Sequence, residues 1–162
     1  MSSPSSRSSG VLVAGIGNIF LGDDGFGVEV ARRLAGVELP PWVTVADYGV
    51  RGMHLAYDLA AADHELTILV DATERGDEAG TVYVVELDTT SRTARPCLDA
   101  HGMQPDVVLD LLALLGHTPK RVLLVGCEPA VVDHRMGLSP VVERAVGTAV
   151  AAVTELVTNH DR

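Results

Sequence analysis

The sequence predicts a layered α/β domain on a mainly parallel sheet of about five strands, one of them antiparallel. Three observations predict it. Short apolar runs alternate with helical patterns from residue 11 onward, the order that builds βα units. The runs are strand-length and end in glycine or aspartate, as buried parallel strands do. One connection, Gly76 to Gly80, is too short to hold a crossover helix, so the strand it reaches is expected to run antiparallel to its predecessor.

The elements follow in order. Residues 1–10 are serine-rich and read as a disordered lead-in; residues 11–160 read as one domain. Val11 to Ala14 is a short buried strand, ended by Gly15-Ile16-Gly17-Asn18. A helix is expected from about Asp24 to Ala35, with Gly27, Val30, Ala31 and Leu34 on one face. Pro40-Pro41 breaks the chain before a strand from Trp42 to Ala46 and a turn-like Asp47-Tyr48-Gly49. Met53 to Ala61 is the next helix. Leu66 to Val70, closed by Asp71, is the clearest central strand, and Thr81 to Leu87 is the antiparallel one. Thr89 to Met103 reads as irregular. Pro105 suits the first turn of a helix that ends before Gly116, with Val108, Leu111, Leu112 and Leu115 as its apolar face. Arg121 to Val125 is the last strand. Ser139-Pro140 resembles an N-cap and first helical residue, opening a helix to about Thr158.

Bulk properties narrow the function. The chain has 162 residues, 47% of them apolar, and a formal net charge of -10. Such acidity disfavours phosphate backbones and anionic membranes, so no nucleic-acid or membrane partner is expected. No run approaches the apolar length of a membrane span, and the start lacks the apolar core of a secretory signal. One disulfide between Cys97 and Cys127 is formally possible, but two cysteines make no disulfide scaffold and form no Cys-x-x-Cys pair. A cytoplasmic monomer with both cysteines as thiols is the expectation.

Sites in open α/β sheets lie beyond the carboxyl ends of the strands. That rule selects Gly15–Asp24, Asp47–Gly52, Asp71–Glu74 and Cys127–Pro129. The first loop resembles a dinucleotide fingerprint, but Phe20 stands where the third glycine belongs. Asp23 and Asp24 also place negative charge where a pyrophosphate would sit. The ordinary role for such acids is helix capping. Two in succession allow one to cap while the other faces the crevice.

Asp71, at a strand end, is either bound to nearby amides or faces the crevice. His101, in Asp99-Ala100-His101-Gly102, would ordinarily be a solvated loop histidine. Together Asp24, Asp71 and His101 offer two carboxylates and an imidazole, a donor set for a borderline divalent metal with open positions. His54, His64, His117, His134 and His160 are read as mostly solvent-facing. There is no Gly-x-Ser-x-Gly elbow and no His-Glu-x-x-His helix. Cys127 with His134 would suggest a thiol nucleophile, but nothing nearby orients them, and burial of Cys127 is the preferred reading.

Gly15-Ile16-Gly17-Asn18 with Asp23-Asp24-Gly25 and Gly27 resembles the opening signature of the hydrogenase maturation endopeptidases. Ile68-Leu69-Val70-Asp71-Ala72 is similar to that family's central strand, and His101-Gly102-Met103 to its histidine segment. Val125-Gly126-Cys127-Glu128-Pro129 and Gly137-Leu138-Ser139-Pro140 resemble two later landmarks. The likeness spans about residues 11–157. It implies a three-layer α/β/α sandwich with one antiparallel strand. It implies a metal-assisted endopeptidase that trims the C-terminal extension of a nickel–iron hydrogenase large-subunit precursor. Nickel would arrive with that precursor, no organic cofactor is implied, and Asp24, Asp71 and His101 would engage the metal. Asn18, Asp47 and Arg51 are expected to contact the substrate. The segment Asp47-Tyr48-Gly49-Val50-Arg51-Gly52 departs from the family's Asp-Gly-Gly-Thr-like turn, which points to it as a specificity loop. A non-catalytic nickel-sensing chaperone and a small nucleotide-binding domain are the competing readings.

Overall fold

In a computed structural model, which describes residues 10–89 and 105–160, five strands form one sheet in the order β2-β1-β3-β5-β4. β1 (Val11–Ile16), β2 (Val43–Gly49), β3 (Leu66–Ala72) and β5 (Val122–Cys127) are parallel; β4 (Val82–Leu87) is antiparallel to β5. β1, β3 and β5 are central, and their continuous apolar runs follow from having both faces covered. The helices are α1 (Phe26–Leu34), α2 (Gly52–Ala61), α3 (Pro105–Leu114) and α4 (Pro140–His160).

Alternation along the strands divides the core in two. Val13, Ile68 and Val125 face α1 and α4, joining Phe26, Val30, Val146 and Val153. Leu12, Leu69 and Leu124 face α2 and α3, joining Leu55, Leu59, Val108 and Leu112. The result is the expected three-layer sandwich.

Some expectations change in detail. β4 does run antiparallel to β3, but the two do not pair: β5 lies between them, and β4 takes the sheet edge. Asp47-Tyr48-Gly49 is the end of β2 rather than a turn. There Tyr48 is an extra residue opposite the Gly15/Ile16 step, a bulge that bends the strand end. On α3, Leu109 is buried and Leu115 is 41% exposed, because Leu115 falls beyond the last helical turn. Ser139 precedes α4 as expected, but its hydroxyl bonds to Asp23. The expected lead-in falls outside the described residues apart from Gly10, whose carbonyl accepts a hydrogen bond from the amide of Glu65. His101 and Cys97 also lie outside them.

The start of α1 sits directly on the sheet. A Cβ on Gly27 would overlap the carbonyls of Val70 and Ile16, and one on Gly15 would overlap the Gly27 carbonyl. Neither obstacle can move without shifting a strand. Gly27→Ala should therefore lower unfolding stability by about 3 kcal/mol or more. Gly147→Ala, at an exposed position of α4 with no neighbour within 4 Å, should raise it by about 0.5–1 kcal/mol. Urea unfolding of both variants checks the pair; a mild loss at Gly27 would mean that the helix can slide.

Candidate active site

The loops after β1, β2, β3 and β5 meet at the carboxyl edge of the sheet around a cleft of about 1200 Å³. Its lining includes Asn18, Asp24, Asp71, Thr73, Arg75, Tyr83 and Pro129. The sequence rule for α/β sheets pointed to this edge.

Asp23 and Asp24 take different directions from a short 3-10 turn, Gly22–Gly25. Asp23 is fully buried. Its carboxylate accepts hydrogen bonds from the amides of Ala130 (2.8 Å), Val131 (2.9 Å) and Ser139 (2.7 Å) and from the Ser139 hydroxyl (2.8 Å). Burial pushes this carboxyl up, but those donors outweigh burial and hold it below the ordinary carboxylate value. Asp23 caps no helix; it ties the β5–α4 loop to the first loop. Asp24 lines the cleft, and its Oδ2 accepts the Asn18 amide at 2.8 Å.

Asp71 is 3% exposed and also lines the cleft. Burial first, then the negative charge of Asp24, hold its carboxyl well above the usual range; the Ala72 amide offsets this only in part. Gly17 (φ 142°) makes this closeness possible: a side chain there would overlap the Asp24 carbonyl and lie 3.7 Å from Asp71 Oδ1. The structure thus brings Asp24 and Asp71 together. A buried carboxyl beside a second carboxylate is suited to bind a cation or to hold a proton for acid–base chemistry.

The expected substrate contacts fare unequally. Asn18 lines the cleft, with its side-chain oxygen accepting the Phe20 amide at 2.9 Å. Asp47 is exposed and outside the cleft lining. The Arg51 side chain turns back onto its own turn, donating to the carbonyls of Tyr48 (3.1 Å) and Asp47 (2.6 Å). Tyr48 is buried and its hydroxyl donates to Asp58 at 2.6 Å, which anchors this loop to α2. Cys127 is a free, fully buried thiol. Burial, then the charges of Asp23 and Glu128, push it up to about 12, so it is no thiolate nucleophile. His134 is exposed.

Sequence reasoning assigned no role to three residues, Tyr83, Gly126 and Glu128. Asp71, Gly126 and Tyr83 lie in one row across β3, β5 and β4. Because Gly126 has no side chain, the Tyr83 ring lies over it, on the face that carries Asp71. Burial is the main cause that pushes the Tyr83 phenol up to about 12. Glu128, 7% exposed, accepts the amides of Arg75 (2.8 Å) and Asp77 (3.2 Å) and so shapes the loop after β3. The Val125-Gly126-Cys127-Glu128-Pro129 segment carried the signal for two of them. Tyr83 could be found only from strand pairing.

The sequence model of the hydrogenase maturation protease family matches residues 28–156. The chain belongs to that family. It is 32% identical over 145 residues to the hydrogenase 2 maturation protease of Escherichia coli, covering 88% of this chain and 87% of that protein. It is 36% identical over 121 residues to the hydrogenase expression/formation protein HupD of Rhizobium leguminosarum; that match takes in 74% of this chain but only 59% of HupD. Among solved structures it is similar to the E. coli hydrogenase-maturating endopeptidase HybD, with a TM-score of 0.78, 28% identity and 93% of each chain covered. The family match begins after Asp24, so the placing of that residue rests on the geometry above.

The Asp23 knot predicts a stability profile. Its folded-state value lies below the unfolded 3.8, so its contribution is full above that value and is lost as pH falls through the lower one. Asp23→Asn puts an amide donor against donors and should cost about 3 kcal/mol at neutral pH. It should also flatten the fall in stability below about pH 4, as linkage requires. Urea midpoints from pH 3 to 7 check both outcomes.

Proposed function

We propose that this chain is an endopeptidase that removes the C-terminal extension of a nickel-loaded nickel–iron hydrogenase large-subunit precursor. Family membership gives the class. The observation that carries the finer reading is the pairing of Asp24 and Asp71 at the cleft, where burial and like charge favour a cation. Nickel belongs to the substrate, held by the precursor's own ligands. Asp24 and Asp71 would take open positions on it, with His101 as a third donor carried by the resemblance.

The chain's own part is to fix these donors. The Asn18 amide orients the Asp24 carboxylate, and burial of Asp71 at the end of β3 fixes the second carboxyl at the cleft. No serine or cysteine lines the cleft among the described residues, which favours water as the attacking group. The substrate's nickel then serves to polarise the scissile carbonyl or to hold the peptide beside it. Phe20, Val50, Val132 and Met136, all more than 45% exposed, stand on loops of this same edge and suit a protein substrate.

The test is to incubate the purified protein with nickel-loaded and nickel-free precursor. Cleavage of the loaded form alone is expected. Asp71→Asn and Asp24→Asn should each lower kcat/KM at least about a hundredfold, since loss of even an outer partner of a metal ligand costs 10–100-fold. Nickel-dependent binding without any cleavage would instead support the chaperone reading.

A further inference from the structure

Four acidic residues line the cleft: Asp24, Asp71, Glu74 and Asp106. Arg75 is the one Lys or Arg among the described lining residues. Its side chain is not adrift. The guanidinium carbon lies 4.1 Å from the centroid of the Tyr83 ring, within cation–π range. Its backbone is fixed too, since the Arg75 amide donates to the buried Glu128 carboxylate. Glu128 is in turn held in the sheet region by main-chain bonds to Thr81 and Gly80. Ring and carboxylate together hold one arginine in place at an otherwise acidic cleft.

Two further features point to a ligand. Among the described residues no carboxylate forms an ion pair with Arg75. Two residues earlier, the buried Thr73 hydroxyl has no hydrogen-bond partner among them either. Thr73 also lines the cleft, and its carbonyl accepts the Tyr83 hydroxyl at 3.5 Å. A buried hydroxyl without a partner costs stability unless a ligand engages it. The Arg75 guanidinium lies over the Tyr83 ring and is hydrogen-bonded with the Tyr83 side chain, and the remaining donors of its fork fit a carboxylate.

We propose that Arg75, with Thr73 and supported by Tyr83, forms a carboxylate-binding subsite that anchors an acidic group of the peptide being cut. The proposal rests on the protease reading only in taking the precursor's tail as the ligand. Placement within the cleft gives the subsite its use. Asp24 and Asp71 repel an acidic group, and Arg75 attracts it, so the peptide is oriented and its register is set. Because the arginine is held before the peptide arrives, little side-chain entropy is lost on binding.

The test uses fluorescence-labelled synthetic peptides that match the precursor's C-terminal region. Each Asp or Glu, and in a separate arm the terminal carboxylate, is replaced by its amide. Binding to the parent protein, Arg75→Ala, Arg75→Lys and Thr73→Val is read by anisotropy. Arg75→Ala should weaken binding about tenfold or more, as expected for a charge-assisted hydrogen bond. Arg75→Lys should restore only part of it, and Thr73→Val should show a smaller loss. One amide replacement should reproduce the loss, with no further effect when combined with Arg75→Ala. That arm identifies a side-chain or a terminal carboxylate as the ligand. With nickel-loaded precursor, Arg75→Ala should raise KM and leave kcat within about twofold, as loss of uniform binding does. Equal binding of every peptide by parent and Arg75→Ala overturns the subsite, as does an Arg75→Ala loss that persists with all acidic groups amidated. If Arg75→Ala weakens peptide binding while the parent leaves nickel-loaded precursor uncut, the protease reading fails and the subsite stands.

Discussion

The backbone of α1 begins in direct contact with the carbonyls of Ile16 and Val70, and the site depends on that contact. Gly27 makes it possible from the helix, and Gly15 makes the matching approach from β1. Asp24 lies three residues before Gly27, and Asp71 is the next residue after Val70. Bringing helix and strand to backbone distance therefore brings the two carboxyls to one cleft. Gly17 completes the approach by letting the first loop run against the Asp24 carbonyl. A side chain at any of these positions would separate the acids before it reached the chemistry. The same glycine spacing that resembles a phosphate loop serves here to pack a helix onto a sheet.

Two other buried carboxylates do a different job. Asp23 gathers amides from the β5–α4 loop, and Glu128 gathers amides from the loop after β3. Loops at a sheet edge leave main-chain donors with no strand partner, and burying those donors unpaired is costly. An ionised carboxylate satisfies several at once, and the donors in turn stabilise its charge. Two walls of the cleft are thus set by charge-assisted hydrogen bonds. The remaining acids, Asp24 and Asp71, face the cleft.

The antiparallel edge strand matters for the same reason. A parallel β4 would have placed its neighbouring loops elsewhere. Running back along β5, it sets Tyr83 opposite Gly126 and in line with Asp71. The short β3–β4 connection then carries Thr73 and Arg75 along the cleft wall, so a single connection supplies both the end of the central strand and the cation of the site.

Much of this was legible in the sequence. Apolar runs and helical spacing determine five strands, four helices and the layered class, because burial on two faces leaves a one-dimensional pattern. Strand-end placement singled out Asp71 and the Gly15–Asp24 loop, since crevices in such sheets lie at the carboxyl ends, and the family resemblance chose Asp24 within that loop. Tertiary structure decided what pairing and direction settle. It put β5 between β3 and β4, sent Asp23 into a knot of amides and Asp24 into the cleft, and folded Arg51 onto its own turn. Adjacent aspartates at a turn are indistinguishable in sequence, because their roles depend on which distant amides arrive beside them. Arg75 and Tyr83 are eight residues apart with no periodic relation, and only the pairing of β4 with β5 brings their side chains together.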